Sequence, residues 1–89
     1  MALRIVSFES TPNPHALKLI VEPAPTDRPR SCFSRADAAG DPLAEALFAI
    51  DGVTNLLIHA GFITIGKDPG APWGPIRKAA RAAIESARP

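Results

Sequence analysis

Few residues in this sequence have side chains suited to metal or nucleophile chemistry: one thiol, Cys32, and two imidazoles, His15 and His59. A closed tetrahedral metal site takes four soft ligands, and a thiolate-held cluster takes as many, so one chain with a lone cysteine lacks the set. Neither histidine stands at ligand spacing from a cysteine or a carboxylate, and both read as turn residues. No G-x-S-x-G elbow or cysteine-nucleophile signature is present, and no acid and base stand together at motif spacing. The expectation is a protein without catalysis and without a cofactor. Cys32 beside Phe33 reads as a small buried hydrophobe. A sharper alternative is thiol exchange, should the flanking Arg30 and Arg35 lower its pKa. The run G-K-D-P-G-A-P-W-G at Gly66 to Gly74 matches neither a Walker loop nor a dinucleotide fingerprint and reads as a connector, with Trp73 anchoring the next helix on a sheet.

The elements that would position these residues follow from pattern. Leu3 to Phe8 and Leu17 to Val21 are rich in β-branched and large apolar residues and predict strands, with Thr11-Pro12-Asn13-Pro14 between them as a rigid turn. Glu22 to Arg30 is a polar loop, and Ser31 to Ser34 a short edge strand. Asp41-Pro42 predicts a helix start, a carboxylate N-cap followed by a proline with no donor to waste. Leu43, Leu47 and Ile50 give that helix an apolar stripe, and Gly52 supplies its left-handed stop. Val53 to Ile58 and Phe62 to Ile65 predict a hairpin, with the glycine of His59-Ala60-Gly61 in the strained turn position. Ile76, Ala80, Ala83, Ile84 and Ala87 share one face of a final helix, with Pro75 in its first turn. Strands precede each helix and hairpins join neighbours. The fold class expected is therefore α+β, a two-layer sandwich with a mainly antiparallel sheet of four to five strands and two helices packed on one face.

Composition fits one domain over residues 1–89. A chain of this length buries only about 60% of its extended surface, which leaves little room for an enclosed ligand cavity. Hydrophobic residues make up 46% and charged residues 21%, an ordinary balance for a folded domain. The net charge of +1, without a basic run, gives no support to nucleic-acid binding. No apolar stretch approaches the ~20 residues that span a bilayer, so no membrane partner is expected. The single cysteine and the lack of an apolar leader point to the cytoplasm.

Three strings occur in order: T-P-N-P-H-A-L-K-L from Thr11, D-P-L-A-E-A-L-F-A-I-D-G-V from Asp41, and G-F-I-T-I-G-K from Gly61. Together with Trp73 they resemble the N-terminal domain of Nfu/NifU-type iron–sulfur scaffold proteins over nearly the whole chain. The family pattern reads T-P-N-P-N and F-I-T-V-T-K where this sequence has His15 and Ile65-Gly66. In that family a second, C-terminal domain carries the C-x-x-C thiolates that bind the cluster. The resemblance therefore implies the accessory half of a scaffold, with cluster ligands supplied by another domain.

Much of the matched sequence has a structural reading: Leu17 and Leu19 alternate with Lys18, and Phe62 and Thr64 with Ile63 and Ile65. Fold maintenance does not require polar side chains on a proline-stiffened turn, so Thr11, Asn13, His15 and Lys18 are the candidate partner-binding residues. The leading expectation is a protein-interaction domain in iron–sulfur cluster assembly or delivery, whose partner is a C-x-x-C scaffold domain, a carrier or an apo iron–sulfur protein. Two others stand beside it. One is a peptide- or small-ligand-binding domain unrelated to iron and sulfur, using an exposed sheet edge. The other is a homodimeric metal or cluster carrier built around Cys32.

Overall fold

The structure, a computed structural model, describes residues 3–22 and 28–86. Its elements run β1 (Arg4–Ser10), β2 (Ala16–Glu22), β3 (Arg30–Cys32), α1 (Arg35–Ala38), α2 (Pro42–Phe48), β4 (Val53–Ile58), β5 (Phe62–Lys67) and α3 (Trp73–Ser86). Among the described residues the five strands form one sheet in the order β1-β2-β5-β4-β3, every neighbouring pair antiparallel. The α+β sandwich expected from the sequence is thus the observed architecture. Most of the loop expected at Glu22 to Arg30 lies outside the described residues, as does Ala87 of the final helix.

Strand alternation divides the sheet into two faces. Leu17, Leu19 and Val21 of β2, Ile63 and Ile65 of β5, Leu56 and Ile58 of β4 and Cys32 of β3 are all buried on one of them. The helices cover that face with Leu43, Ala44, Leu47 and Phe48 of α2 and Ile76, Ala80 and Ile84 of α3. Each such leucine or isoleucine contributes about 1.5–3 kcal/mol by leaving water. Lys18, Ile20, Phe62, Thr64 and Leu57 occupy the uncovered face.

Local chemistry sets the helix limits. Asp41 caps α2, its Oδ1 accepting from the amides of Leu43 and Ala44 at 3.1 and 3.2 Å, and Pro42 follows in the first turn. The helix ends at Phe48, two residues short of the expected Ile50, because the amide of Ile50 tightens onto the Leu47 carbonyl at 3.2 Å. Gly52 takes φ +94°, and a Cβ there would meet the Ala71 Cβ at 2.7 Å. α1 has no counterpart in the sequence reading. Ser34 accepts from the Asp37 amide at 3.3 Å while the Asp37 carboxylate accepts from the Phe33 amide at 3.0 Å, a reciprocal cap on a helix too short to show a period. Among the described residues no helix is long and apolar enough to cross a membrane.

Two further expectations are corrected. Gly61 has no positive φ. The β4–β5 turn closes instead through the His59 amide onto the Phe62 carbonyl at 2.8 Å, and the Gly61 carbonyl accepts from Val21 at 3.3 Å, extending the seam between β2 and β5. The connector read across Gly66 to Gly74 is shorter: Gly66 and Lys67 finish β5, Trp73 and Gly74 begin α3, and residues 68–72 join them.

Candidate functional site

The turn between β1 and β2 is built by its own side chains. Thr11 Oγ1 lies 2.8 Å from the Asn13 carbonyl and 3.1 Å from that of Ala16, in donating position to either, and accepts from the Asn13 amide at 3.2 Å. Asn13 Oδ1 accepts from the His15 amide at 2.9 Å, an Asx turn, and the Ala16 amide donates to the Asn13 carbonyl at 3.0 Å. Pro12 and Pro14 fix φ on either side of Asn13, and all three are exposed. The Thr11 hydroxyl and one end of the Asn13 amide are therefore committed to the turn. The Asn13 Nδ2 donors and the proline rings remain available to a partner.

Two residues distant in sequence brace this turn. Trp73, at the start of α3, donates its indole Nε1–H to the Pro14 carbonyl at 3.1 Å, and its half-buried ring packs against the core. It is the helix anchor expected from the sequence and, in addition, a strap across the turn. At the end of β5 the Lys67 amide donates to the His15 carbonyl at 2.9 Å. The Lys67 side chain, only 8% exposed, extends over the indole with Nζ 5.4 Å from the ring centroid and donates to the Asp68 carbonyl at 3.2 Å. A buried ammonium is thus held by a π face and a backbone oxygen, and among the described residues it forms no ion pair. The first and third matched strings and Trp73 meet at this one corner.

The four candidate residues do not form one cluster. Thr11, Asn13 and His15 share the turn, where His15 is half-buried and its Nδ1 is enclosed without a hydrogen-bond partner. Lys18 belongs to the uncovered sheet face, with Nζ 4.5 Å over the Phe62 ring, against which His59 stacks at 4.7 Å. Sequence reasoning passed over Lys67 as a bracing residue. No spacing links residue 67 to residue 15, and the shared family strings were the one signal pointing to both.

Gly66 departs from the family's threonine for a local reason. A register shift in β4 sets Asn55 opposite Gly66, and a Cβ there would lie 2.3 Å from the Asn55 amide atoms. The glycine leaves room for that side chain.

Cys32 is 1% exposed, on the helix-covered face of β3. Burial pushes its thiol pKa above the ordinary value and outweighs the lowering by Arg30, while Asp37 and Asp41 add to the rise. The flanking arginines therefore do not activate it, and a second copy could reach the sulfur only by opening the core. Among the described residues no three His, Cys, Asp or Glu side chains gather where they could hold a metal ion.

Comparison with known proteins agrees with the geometry. The chain is 38% identical over 74 residues to the NFU1 iron-sulfur cluster scaffold homolog, mitochondrial, of Drosophila ananassae, an alignment covering 81% of this chain and 26% of the fly protein. It is 36% identical over 73 residues to NifU-like protein 5, mitochondrial, of Arabidopsis thaliana, covering 76% of this chain and 25% of that one. The chain thus spans about a quarter of the length of these relatives. Among solved structures, protein SAV1430 from Staphylococcus aureus shares the fold with a TM-score of 0.77 at 19% identity, over 92% of this chain and 99% of that one. The model of the scaffold protein Nfu/NifU N-terminal family matches residues 6–88, from the first strand past the last described turn of α3. With turn, hairpin and final helix all inside that match, the chain belongs to the Nfu/NifU N-terminal family.

Proposed function

We propose that this chain is a single, non-enzymatic protein-interaction domain in iron–sulfur cluster assembly or delivery. It binds a C-x-x-C scaffold domain, a carrier or an apo iron–sulfur protein through the Thr11 to Lys18 segment. The observation that carries the reading is the bracing of an exposed polar turn by Trp73 and Lys67. A turn already held in one shape loses little entropy on docking, so its few free donors and proline rings translate efficiently into affinity. Family membership supplies the chemistry of the partner. The lone cysteine is buried and not poised to react, which favours cluster ligands that come from that partner. A single unpaired thiol also suits the reducing cytoplasm, where we place the chain.

The test is a titration of the isotopically labelled chain with a purified C-x-x-C scaffold domain, followed by amide shifts. Saturable shifts confined to residues 11–18 and their neighbours, weakened by Lys18→Ala and retained in His15→Asn, are expected. Binding that ignores Lys18→Ala and an Asn13→Ala variant of unchanged fold would overturn the assignment of the surface. A purified chain that alone retains stoichiometric iron and sulfide would overturn the accessory role.

A further inference from the structure

The solvent side of α3 carries a second surface that the turn does not use. Arg77, Lys78 and Arg81 are all exposed. Their spacings, i to i+4 for Arg77 and Arg81 and i to i+3 for Lys78 and Arg81, make the three side chains neighbours on one face. Both guanidinium groups lie over the ring of Phe8 from β1, with their central carbons 5.8 and 5.3 Å from its centroid. A shared aromatic face offsets part of the repulsion between two cations and holds their planes in place. Gly74, one turn before Lys78, leaves bare helix beside them, and a Cβ added there would meet nothing within 4 Å. The counter-charge is small. Glu85 reaches Arg81 at 3.4 Å with both side chains about half exposed, a weak and displaceable contact, and among the described residues Arg77 and Lys78 form no ion pair.

We propose that this face of α3 docks an acidic segment of a partner protein, with two or three Asp or Glu carboxylates one helical turn apart. Charge complementarity carries the assignment. The chain's net charge is only +1, so an acidic partner would be drawn by this local cluster of three cations and not by the charge of the molecule as a whole. From Arg77 to Arg81 the helix rises about 6 Å, which matches carboxylates at i and i+4 on a peptide. A nucleic acid presents a continuous rail of phosphates and needs a longer basic track, and Glu85 would repel its continuation. Guanidinium groups fixed against Phe8 are suited to the paired hydrogen bonds that a carboxylate accepts.

The experiment titrates a capped oligoglutamate into the labelled full chain at low and at physiological salt. Saturable shifts at Arg77, Lys78 and Arg81 that weaken as salt rises are expected. Lys78→Gln and Arg81→Gln should each weaken binding by roughly two- to fivefold, the value of one exposed ion pair. Lys78 is exposed and, among the described residues, forms no ion pair, so its variant should melt at the parent temperature, which separates lost binding from lost folding. The proposal is overturned by absence of binding at low salt, by shifts that lie elsewhere, by variants that bind like the parent, or by an oligothymidylate of equal charge binding as tightly. Turn variants such as Asn13→Ala should leave this titration unchanged, so it stands or falls apart from the Thr11 to Lys18 assignment.

Discussion

Replacing Trp73 with Phe tests whether the turn is strapped from a distance. Phenylalanine keeps a ring against the core and a π face for Lys67 but has no donor for the Pro14 carbonyl, 3.1 Å from the indole nitrogen. A net hydrogen bond contributes about 0.5–1.5 kcal/mol, and here the lower half applies because water can reach the freed carbonyl. The poorer π face of phenylalanine adds a few tenths of a kcal/mol. A total near 1 kcal/mol should lower the melting temperature by about 4–8 °C for a domain of this size. The melt must be followed by far-ultraviolet circular dichroism, since Trp73 is the sole tryptophan. The sharper readout is local: amide exchange at His15, Ala16 and Lys67, whose bonds close the turn, should accelerate by more than the global loss explains. A loss of about 3 kcal/mol or more would make Trp73 a core keystone instead of a strap. Exchange at those three amides that merely tracks the rest of the sheet would refute the bracing argument.

Three more outcomes are expected. Asp41→Asn keeps the cap on α2 but removes the ion pair with Arg30, costing at most ~1 kcal/mol in urea denaturation, while Asp41→Ala also loses the cap for about 1 kcal/mol more. Gly66→Ala destabilises the parent because Asn55 occupies the space of the new methyl, whereas in an Asn55→Ala background the same change stabilises by up to ~1 kcal/mol; a cycle of thermal melts without that reversal of sign refutes the packing account. Cys32 should react slowly with thiol reagents below pH 8. Because its folded pKa is raised, its contribution to stability is complete below the ordinary thiol pKa and declines as pH rises past it, and Cys32→Ala should flatten that alkaline decline.

What the sequence disclosed depended on how local the cause was. The Asp41-Pro42 cap, the left-handed conformation of Gly52 and the alternation in β2, β4 and β5 are written within a few neighbouring residues, and the structure reproduces them, although Gly52 bends the turn before β4 and α2 has already ended at Phe48. α1 escaped because four residues carry no period, although Ser34 and Asp37 hold the capping pattern. The order of the strands rests on the pairing of β2 with β5, Leu17 opposite Ile65, which no local signal encodes. The candidate site divided in the same way. The rigid turn was legible from its prolines, but its bracing by Lys67 and Trp73 is tertiary. Lys18 is grouped with the turn as a partner-binding residue although its alternation with Leu17 and Leu19 already places it in a strand, and that alternation carries it onto the uncovered sheet face beside Phe62.

Both open sides of the sheet are poor templates for strand addition. On β1 the pairing slips between Ile5 and Ser7, and Val6, 52% exposed, stands outside the ladder. On the far side β3 offers only three residues before the chain turns into α1. An extended peptide would find few consecutive amides and carbonyls to zip onto, and a second copy would fare no better. The same irregular borders give the sheet little flat, unpaired edge on which cross-β stacking could start.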